Sequence, residues 1–410
     1  MARDTLAGAR VVLGVTGGIA AYKAVEVSRK LVDQGAHVIP ILTKGATRFI
    51  GEITFSALGS ERAHVSLNED SEIIPHTTIG KSADLVIVAP ATARLIGAYA
   101  AGISSDLLSA TLLATRAPVI ICPAMHTEMW EHPAVVENIA TLKRRGVEIV
   151  EPISGRLAGG DMGSGRLADP STIIACAKRQ LARRAYWENK RVLVTAGGTR
   201  EPIDPVRFIS NRSSGKQGHA LAFEAWIRGA GVTLVTSAKI DPPPGMEVIF
   251  VDTAREMQTA CEKIAPECEV VIMAAAVADF QPSDIATLKI SRSSPISEIK
   301  LEPAPDILAG LVTMRDRAST SGETTGKGRQ LLIGFAAETH DVVQKANAKL
   351  EAKGVDLLVA NDVSAPGVGF DHDTNAVLIL DKNGGRSEVE ITDKNSIARA
   401  VLSCIEEYQN

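Results

Sequence analysis

The segments VVLGVTGGIA (11–20) and RVLVTAGGTR (191–200) decide the fold of this chain, because each reads as a buried strand, a glycine pair and the start of a helix. Glycine between a strand and a helix lets the backbone approach a phosphate, while the helix N-terminus offers N–H donors and a positive dipole. Neither segment has the G-x-G-x-x-G spacing of a dinucleotide fingerprint, so a tight turn is the alternative from spacing alone. The repetition predicts two nucleotide-binding domains in tandem.

Short apolar runs recur along both halves and are separated by helical stretches. Runs without strict alternation predict strands covered on both faces, and the intervening helices predict doubly wound parallel sheets of the α/β class. We predict two Rossmann-like domains, 1–188 and 189–410. The predicted strands are 11–16, 38–42, 85–89, 119–122, 147–150, 192–195, 232–236, 248–251, 270–274, 331–335, 356–360 and 377–380.

Two further segments have a clear local pattern. Residues 169–190 have an N-cap candidate at Asp169 or Ser171 and a helical apolar pattern, which predicts a helix between the domains. Residues 314–330 lack apolar side chains after Met314, which predicts a mobile loop.

Composition limits the function classes. A length of 410 residues is too great for one ordinary core. The net charge of -4 and the aromatic content of 4% argue against nucleic-acid binding. There is no apolar run of about 20 residues and no signal-like start, so we expect no membrane span and a cytoplasmic location. Five cysteines without a C-x-x-C pair fit a reducing compartment.

In the first half, polar and small residues follow several predicted strands. They lie in LVIVAPATARL (85–95), AGISSDLL (101–108) and VIICPAMHTEMW (119–130), and IPHTTIG (74–80) contributes His76. Ligands of open α/β sheets bind beyond the carboxyl ends of the strands, so these segments are candidates for one site. A lone loop histidine is more often solvated than catalytic.

These motifs resemble, in order, those of the flavin-containing cysteine decarboxylases, a family that includes phosphopantothenoylcysteine decarboxylase. The resemblance implies a flavodoxin-like domain that binds FMN, a redox-neutral decarboxylation, and His76 as the catalytic base. Met125, His126 and Arg166 would contact the decarboxylase substrate. The residues implied to surround FMN are Gly17, Gly18, Thr43, Ala89, Thr92, Ser105 and Asp106.

Two positions depart from the family pattern. His126 stands where the family usually has asparagine, and histidine can still donate to a carboxylate. In the flap RLAGGDMGSGRL (156–167), Gly159 stands where the family usually has the cysteine that protonates the product. Either another group or water supplies that proton, or reduction is impaired. Asp161 is a nearby candidate, although aspartate beside glycine is typical of turns.

In the second half, VTAGGTREPIDPVRFISNRSSGKQG (194–218) has the composition of a phosphate cradle without the spacing of a Walker motif. A plain serine N-cap is the alternative. The strand predicted at 270–274 is followed by small residues and then by Asp279. That carboxylate could hold Mg²⁺ or a ribose hydroxyl, or could cap a helix.

Residues 190–410 resemble phosphopantothenate–cysteine ligase. The resemblance implies that CTP activates the carboxylate of 4'-phosphopantothenate as an acyl-cytidylate, which the amine of cysteine attacks. Asn211 and Lys289 would be catalytic, and Asp279 would bind Mg²⁺. The residues implied to bind CTP are Ser213, Ser214, Gly215, Met273, Ala274, Ala275, Asp279, Lys289, Pro305, Asp306, Ile307, Leu308, Phe335, Lys349, Lys353 and Asn361.

The order of the two halves resembles the bifunctional bacterial enzyme of coenzyme A biosynthesis, in which the ligase product is the decarboxylase substrate. The resemblance also implies small-molecule partners only and a homo-oligomer, a dodecamer built from trimers and dimers. Three alternatives stay open: a ligase with an FMN-binding but poorly active decarboxylase domain, a regulatory binding protein, and a nicotinamide dehydrogenase. The missing G-x-G-x-x-G spacing counts against the last.

Overall fold

The computed structural model describes residues 5–67, 74–242, 245–291, 298–321, 329–338, 341–362 and 373–409. The chain forms two compact units, and the division between them falls between Ala182 and Arg183. Among the described residues, no helix combines the length and the apolar character needed to cross a membrane.

The N-terminal unit alternates strands and helices. Its strands are β1 (Arg10–Val15), β2 (His37–Leu42), β3 (Leu85–Ala91), β4 (Val119–Pro123), β5 (Glu148–Ile149), β6 (Ile153–Arg156) and β7 (Met162–Arg166). Its helices are α1 (Ala21–Asp33), α2 (Glu52–Leu58), α3 (Pro75–Ser82), α4 (Ala93–Ala101), α5 (Leu107–Ala114), α6 (Thr127–Trp130), α7 (Pro133–Arg144) and α8 (Pro170–Ala182), with a 3-10 turn at Ala46–Arg48.

Five parallel strands form the central sheet of this unit, in the order β2-β1-β3-β4-β5. Every residue of β3 is buried, as expected for a strand covered by helices on both faces. The order reverses direction between β1 and β3, and the carboxyl ends of strands at such a switch point open a crevice for ligands. The flavodoxin-like prediction for this unit is therefore confirmed.

A short antiparallel hairpin, β6–β7, follows the sheet. It spans the predicted flap, and its turn is closed by a backbone hydrogen bond from Leu157 to Asp161 of 2.7 Å. The sequence did not reveal these strands, because their glycine-rich composition has none of the usual strand propensity.

The C-terminal unit is larger. Its strands are β8 (Arg191–Ala196), β9 (Arg200–Pro202), β10 (Phe208–Ser210), β11 (Gly231–Thr236), β12 (Glu247–Phe250), β13 (Val270–Met273), β14 (Phe280–Pro282), β15 (Leu301–Pro303), β16 (Leu331–Glu338), β17 (Leu357–Asp362), β18 (Thr374–Asp381) and β19 (Arg386–Asp393). Its helices are α9 (Lys216–Ile227), α10 (Ala254–Ile264), α11 (Ile307–Ser321), α12 (Val342–Lys353) and α13 (Lys394–Gln409), with a 3-10 turn at Ala265–Glu267.

Eight strands form its main sheet, in the order β12-β11-β8-β13-β16-β17-β18-β19. The strands from β12 to β17 run parallel, and the order reverses between β8 and β13. The predicted parallel sheet ends there, because β17 pairs antiparallel with β18, and β18 with β19. Strand β19 escaped prediction because its side chains are mostly exposed and polar.

Two local predictions need correction. Helix α8 ends at Ala182, so residues 183–190 do not continue the predicted helix. The predicted mobile loop is wrong for residues 314–321, which extend α11. There the buried Arg315 donates to Asp356 at 2.9 Å and to the carbonyl of Gly354 at 3.0 Å, and these bonds hold the polar segment in helical form. The rest of that predicted loop falls largely at 322–328, outside the described residues.

The segment after α8 is anchored to the C-terminal unit by a buried polar cluster. Trp187 is fully buried, and its indole nitrogen donates to Glu406 of α13. Arg228, at the end of α9, donates to Glu406 at 2.6 Å and to Glu224 at 2.8 Å. Because both carboxylates compensate one buried guanidinium, the cluster avoids the cost of an unpaired buried charge.

Candidate active sites

The glycine pair after β1 lies where three loops meet at the carboxyl edge of the N-terminal sheet. A Cβ atom added to Gly17 would lie 2.6 Å from the backbone of Gly45, so only glycine permits this approach of the loops after β1 and β2. A Cβ atom on Gly18 would contact Thr92, which follows β3. Thr43 lies in the same place, since its hydroxyl accepts from the Ala46 N–H. The structure therefore brings Gly17, Gly18, Thr43 and Thr92 together.

Thr16 fastens this crevice, although the sequence reading did not select it. Its hydroxyl donates to the Pro90 carbonyl at 2.8 Å and accepts from the Thr92 N–H at 3.0 Å. These two hydrogen bonds join the end of β1 to the end of β3 across the switch point. Ala89 is fully buried within β3, so it contributes to this edge through the backbone. A threonine directly before a glycine pair was the signal that could have identified Thr16.

His76 is the second residue of α3, and Asp106 is the residue before α5. Because each helix leads into a strand of the parallel sheet, both N-termini lie toward its carboxyl edge. The Nδ1 atom of His76 is buried, and none of the described residues forms a hydrogen bond with it. The Asp106 carboxylate accepts from the N–H and the hydroxyl of Ser109, both at 2.8 Å, so it caps α5. Ser105 beside it is exposed.

The segment after β4 carries Met125 and His126, and the β6–β7 hairpin docks on it. The Met125 N–H donates to the Gly165 carbonyl at 3.0 Å, and the Thr127 hydroxyl donates to the Ser164 carbonyl at 2.8 Å. Gly165 has a φ of +143°, and a Cβ atom there would collide with the Met125 carbonyl. Arg166 follows at once, with its guanidinium over Gly155 of the neighbouring strand.

His126 faces acidic groups from two elements. Its Nδ1 atom lies 2.7 Å from the Glu128 carboxylate, and its Nε2 atom lies 3.8 Å from the Asp161 carboxylate at the tip of the hairpin. The hydrogen bond with Glu128, helped by both negative charges, raises the pKa of His126. A Cβ atom on Gly159 would be 3.0 Å from the same Nε2 atom, so His126 and Asp161 lie beside the position at which the family usually has cysteine.

In the C-terminal unit, a pocket opens at the carboxyl edge of the sheet beside β8 and β13. It collects seven of the predicted CTP residues: Ser213, Ser214, Gly215, Ala274, Ala275, Phe335 and Asn361. The pocket also includes Lys216, which the sequence indicates as a source of positive charge beside the serines. Its other lining residues were not predicted from the sequence: Gln217, Gly218, Ala276, Ala336, Ala337, Asn375 and Lys394. None of the described residues that line this pocket has an acidic side chain.

Hydrogen bonds join the segment after β13 to the end of β8 and to the loop that follows β8. The Ala275 N–H donates to Thr195 at 3.1 Å, and the Ala278 N–H donates to Thr199 at 3.0 Å. The side-chain nitrogen of Asn211 donates to the Val277 carbonyl at 2.9 Å. Asn211 therefore stabilises the backbone beside the pocket through its bond with Val277. Met273 lies in the buried core, so its side chain does not line the pocket.

Lys349 and Lys353 lie one turn apart on α12, as their spacing predicts, and each is paired with a carboxylate. Lys349 lies 2.5 Å from Glu338 at the end of β16. Lys353 pairs with Asp306, which also caps α11 through the Ala309 N–H at 3.1 Å. Although desolvation opposes it, the bond with Lys353 lowers the pKa of Asp306.

The neighbouring predicted residues are divided between core and surface. Ile307 is buried in the core and Leu308 packs against it, which leaves the adjoining backbone for ligand contact. Pro305, which precedes Asp306, is partly buried.

Lys289 is exposed and lies on a loop that Asp204 organises. Asp204 accepts from the N–H groups of Val206, Arg207 and Ile290. Although desolvation opposes them, these bonds and the Arg207 charge lower the pKa of Asp204 to about 2. Asp279 is exposed, and its carbonyl accepts from the Ala304 N–H. Within the described ranges, no group of three His, Cys, Asp or Glu residues could hold a metal by itself.

Two different protein families match the two halves of the chain. The family described as "Flavoprotein" matches residues 2–182, and the "DNA/pantothenate metabolism flavoprotein C-terminal domain" matches residues 187–408. A solved C-terminal domain of a coenzyme A biosynthesis bifunctional protein CoaBC is 38% identical, with a TM-score of 0.44, and covers 54% of this chain and 95% of that chain.

Relatives also match across both halves. The coenzyme A biosynthesis bifunctional protein CoaBC of Mycobacterium bovis is 46% identical over 97% of this chain and 96% of its own length. The protein of the same name from Mycolicibacterium smegmatis is 46% identical over 97% of both chains. The Bacillus subtilis protein is 43% identical over 96% of this chain and 95% of its own. The chain therefore belongs to the CoaBC family of bifunctional coenzyme A biosynthesis proteins.

Proposed function

We propose that this enzyme joins 4'-phosphopantothenate to L-cysteine with CTP and then decarboxylates 4'-phospho-N-pantothenoylcysteine to 4'-phosphopantetheine with FMN. The observation that carries the proposal is that one chain contains two separate carboxyl-edge sites, and its relatives over nearly the whole length are named bifunctional. The N-terminal edge offers a histidine with a buried nitrogen that has no hydrogen-bond partner in the described part of the chain. The C-terminal edge offers a pocket lined by lysines and hydrogen-bond donors.

The N-terminal crevice fits a flavin mononucleotide. Helix α1 begins without a side-chain cap and has no acidic residue in its first turn, so an anion can approach its N-terminus. The glycine turn before it and Thr43, Ala89, Thr92, Ser105 and Asp106 would hold the cofactor. When bound, FMN would supply the reversible two-electron chemistry that makes loss of CO2 possible without net oxidation.

His76 would act as the base of the decarboxylase. A buried imidazole nitrogen without a partner is costly, and a substrate proton would give that nitrogen a role. His126 would bind the substrate carboxylate, since its raised pKa favours the cationic form. Met125 and Arg166 would complete the contact under the docked hairpin.

The final protonation needs a donor, because Gly159 has no side chain to supply one. His126 and Asp161 lie next to that position and together can hold a proton between Nε2 and the carboxylate. Gly159 also supports the second candidate function, a ligase whose flavin-binding unit turns over poorly.

The ligase would use the C-terminal pocket for CTP. Polyanionic CTP and a carboxylate repel each other, so cations must offset the charge during cytidylate formation. Lys289, exposed on its anchored loop, would stabilise that charge. Lys349 and Lys353 would exchange their carboxylate partners for phosphates, and Asn211 would contact the acyl intermediate. Asp279 would bind Mg²⁺ together with phosphate oxygens, since Mg²⁺ commonly takes one or two carboxylates and keeps several waters.

The proposal also covers the oligomeric state of the enzyme and its location in the cell. We propose a homo-oligomer, a dodecamer in which the N-terminal units form trimers and the C-terminal units form dimers, working in the cytoplasm. All five cysteines are free and four of them are buried, which suits a reducing compartment.

Mass spectrometry of products tests the proposal. The purified protein is given 4'-phosphopantothenate, cysteine, CTP and Mg²⁺, and bound flavin is recorded from its visible absorption. We expect 4'-phosphopantetheine and CMP. Accumulation of the cysteine conjugate alone would favour the second candidate function, and absence of any conjugate would refute the proposed ligase. ATP in place of CTP tests the nucleotide.

A further inference from the structure

The antiparallel hairpin of β9 and β10 holds the loop that carries Lys289. Two hydrogen bonds join the turn of this hairpin to the backbone on either side of the lysine. The Ala286 N–H donates to the Ile203 carbonyl at 3.0 Å, and the Ile290 N–H donates to the Asp204 carboxylate at 3.1 Å. The turn therefore contacts the Lys289 loop at two points that bracket the lysine.

The two oxygen atoms of the Asp204 carboxylate have separate roles. Oδ1 accepts from the N–H groups of Val206 and Arg207, each at 2.8 Å, which closes the turn of the hairpin. Oδ2 accepts from the Ile290 N–H and lies 2.7 Å from the Arg207 guanidinium. The same guanidinium donates to the Ile290 carbonyl at 2.5 Å. One oxygen thus serves the turn, and the other serves the Lys289 loop.

Apolar packing within the chain contributes little to the position of this loop. Ile285 is 58% exposed and Leu288 is 79% exposed. Residues 283–291 form neither helix nor strand. Asp204, by contrast, is only 3% exposed, so its hydrogen bonds form where water competes little for them. The bonds to the turn therefore determine where the backbone of Lys289 lies.

The position of Lys289 matters because its proposed task is electrostatic. A cation stabilises developing charge best when it already lies at the right distance, and a displacement of about 1 Å can lower a rate about 100-fold. A lysine has a long, flexible side chain, so a fixed backbone limits the volume that its ammonium group can reach. A buried carboxylate that fixes this backbone contributes to ligation without contacting a substrate.

We propose that Asp204 is a positioning residue of the ligase, which fixes the loop of Lys289 through the Ile290 N–H. The inference rests on the proposed ligase function and adds a residue to it. The sequence reading did not select Asp204, because an aspartate directly before a proline predicts only a turn.

Asp204→Asn tests the inference, because asparagine can keep the oxygen that closes the turn and places an NH2 group where Oδ2 faces two donors. The kcat of ligation, followed by pyrophosphate release, should fall about tenfold or more, while the KM of cysteine stays unchanged. Asp284→Asn, which changes an exposed aspartate on the same loop, should match the wild type. Decarboxylation of the supplied intermediate should be unchanged in both variants.

A double-mutant cycle with Lys289→Gln separates positioning from general stability. Asp204→Asn should lower kcat little further in the Lys289→Gln background, because both changes remove the contribution of the same ammonium group. A role in stability alone would give the same fold-loss in both backgrounds. That result, or a wild-type kcat in Asp204→Asn, would overturn the inference.

Hydrogen–deuterium exchange of the full-length protein gives a readout that needs no turnover. Exchange in peptides that cover residues 285–291 should be faster in Asp204→Asn than in the wild type, since the Ile290 N–H loses its acceptor. Unchanged exchange would also overturn the inference. If the wild type forms no conjugate, the proposed ligase function fails, and exchange alone decides whether Asp204 fixes the loop. If Asp204→Asn does not fold, Asp204→Ser carries both tests, because its hydroxyl can still close the turn.

Discussion

The two carboxyl edges begin alike and are covered differently. In each unit a threonine at the end of the central strand accepts the backbone N–H that follows the strand across the switch point: Thr16 from Thr92, and Thr195 from Ala275. Beyond that, the N-terminal edge is associated with a hairpin docked on residues 125–127, whereas the C-terminal pocket is walled by β18 and α13.

The β6–β7 hairpin is a cover that can open, whereas β18 and α13 form a fixed wall. A hairpin held by a few hydrogen bonds can release and readmit ligand, as gating loops do. A wall made from a sheet strand and a helix that packs on it keeps its donors in place, which suits an anion that must be held at fixed points. The flap and the wall therefore give different expectations for substitutions, taken below from the largest effect to the smallest.

His76→Asn should break the N-terminal site and leave the C-terminal site intact. Loss of the base should lower the rate of CO2 release about 10²- to 10⁴-fold, measured with the ligated intermediate supplied directly. Pyrophosphate release should be unchanged. His37→Asn is the matched control, because His37 begins β2 at the opposite edge of the sheet. If His76→Asn silenced both reactions in a folded protein, the separation of the sites would be wrong.

Lys289→Gln should have the opposite effect to His76→Asn, because it should impair ligation and leave decarboxylation intact. Removal of a cation that stabilises developing charge should lower the kcat of ligation about 10²- to 10³-fold, while CO2 release from the supplied intermediate stays at the wild-type rate. Lys300→Gln, an exposed lysine that precedes β15, is the control. Equal losses in the two lysine variants would contradict the assignment to Lys289.

Gly165→Ala tests whether the hairpin is a cover. The new methyl group would collide with the Met125 carbonyl and undock β7, so kcat/KM of decarboxylation should fall about 10- to 100-fold. Gly160→Ala shares the left-handed backbone but meets open space at the tip, so it isolates the effect of the collision. Ligation should be unaffected by either change. A wild-type kcat/KM in Gly165→Ala would show that docking is unnecessary.

Glu128→Gln should have the smallest effect, a displaced pH profile. The bond with Glu128 raises the pKa of His126, so the imidazolium persists to higher pH in the wild type. Without it, the KM of the decarboxylase substrate should begin to rise at lower pH, while Asp161 preserves part of the effect. Glu131→Gln, at the end of α6, is the control. Identical pH profiles of KM would exclude His126 as the carboxylate contact.

The strands and their glycine turns could be predicted because buried parallel strands leave continuous apolar runs. The residues after those runs could then be assigned to one edge of a sheet. The extension of α11 could not be predicted from the sequence, because it depends on the hydrogen bond from Arg315 to Asp356, a contact between distant parts of the chain. Asn375 and Lys394 were missed for the same reason, since they reach the pocket only through the antiparallel pairing of β18 and β19.

The cluster of Trp187, Arg228 and Glu406 has a practical consequence for separating the two activities. A C-terminal unit expressed from residue 189 would lack the Trp187 indole, which would leave a cavity beside α13 and remove one of the donors to Glu406. A unit expressed from residue 183 would keep the indole and its hydrogen bond. Glu406 lies on the same helix as Lys394, about 18 Å along its axis. The few residues that look like a spacer thus brace the helix that forms the pocket wall, and trimming them would damage catalysis from a distance.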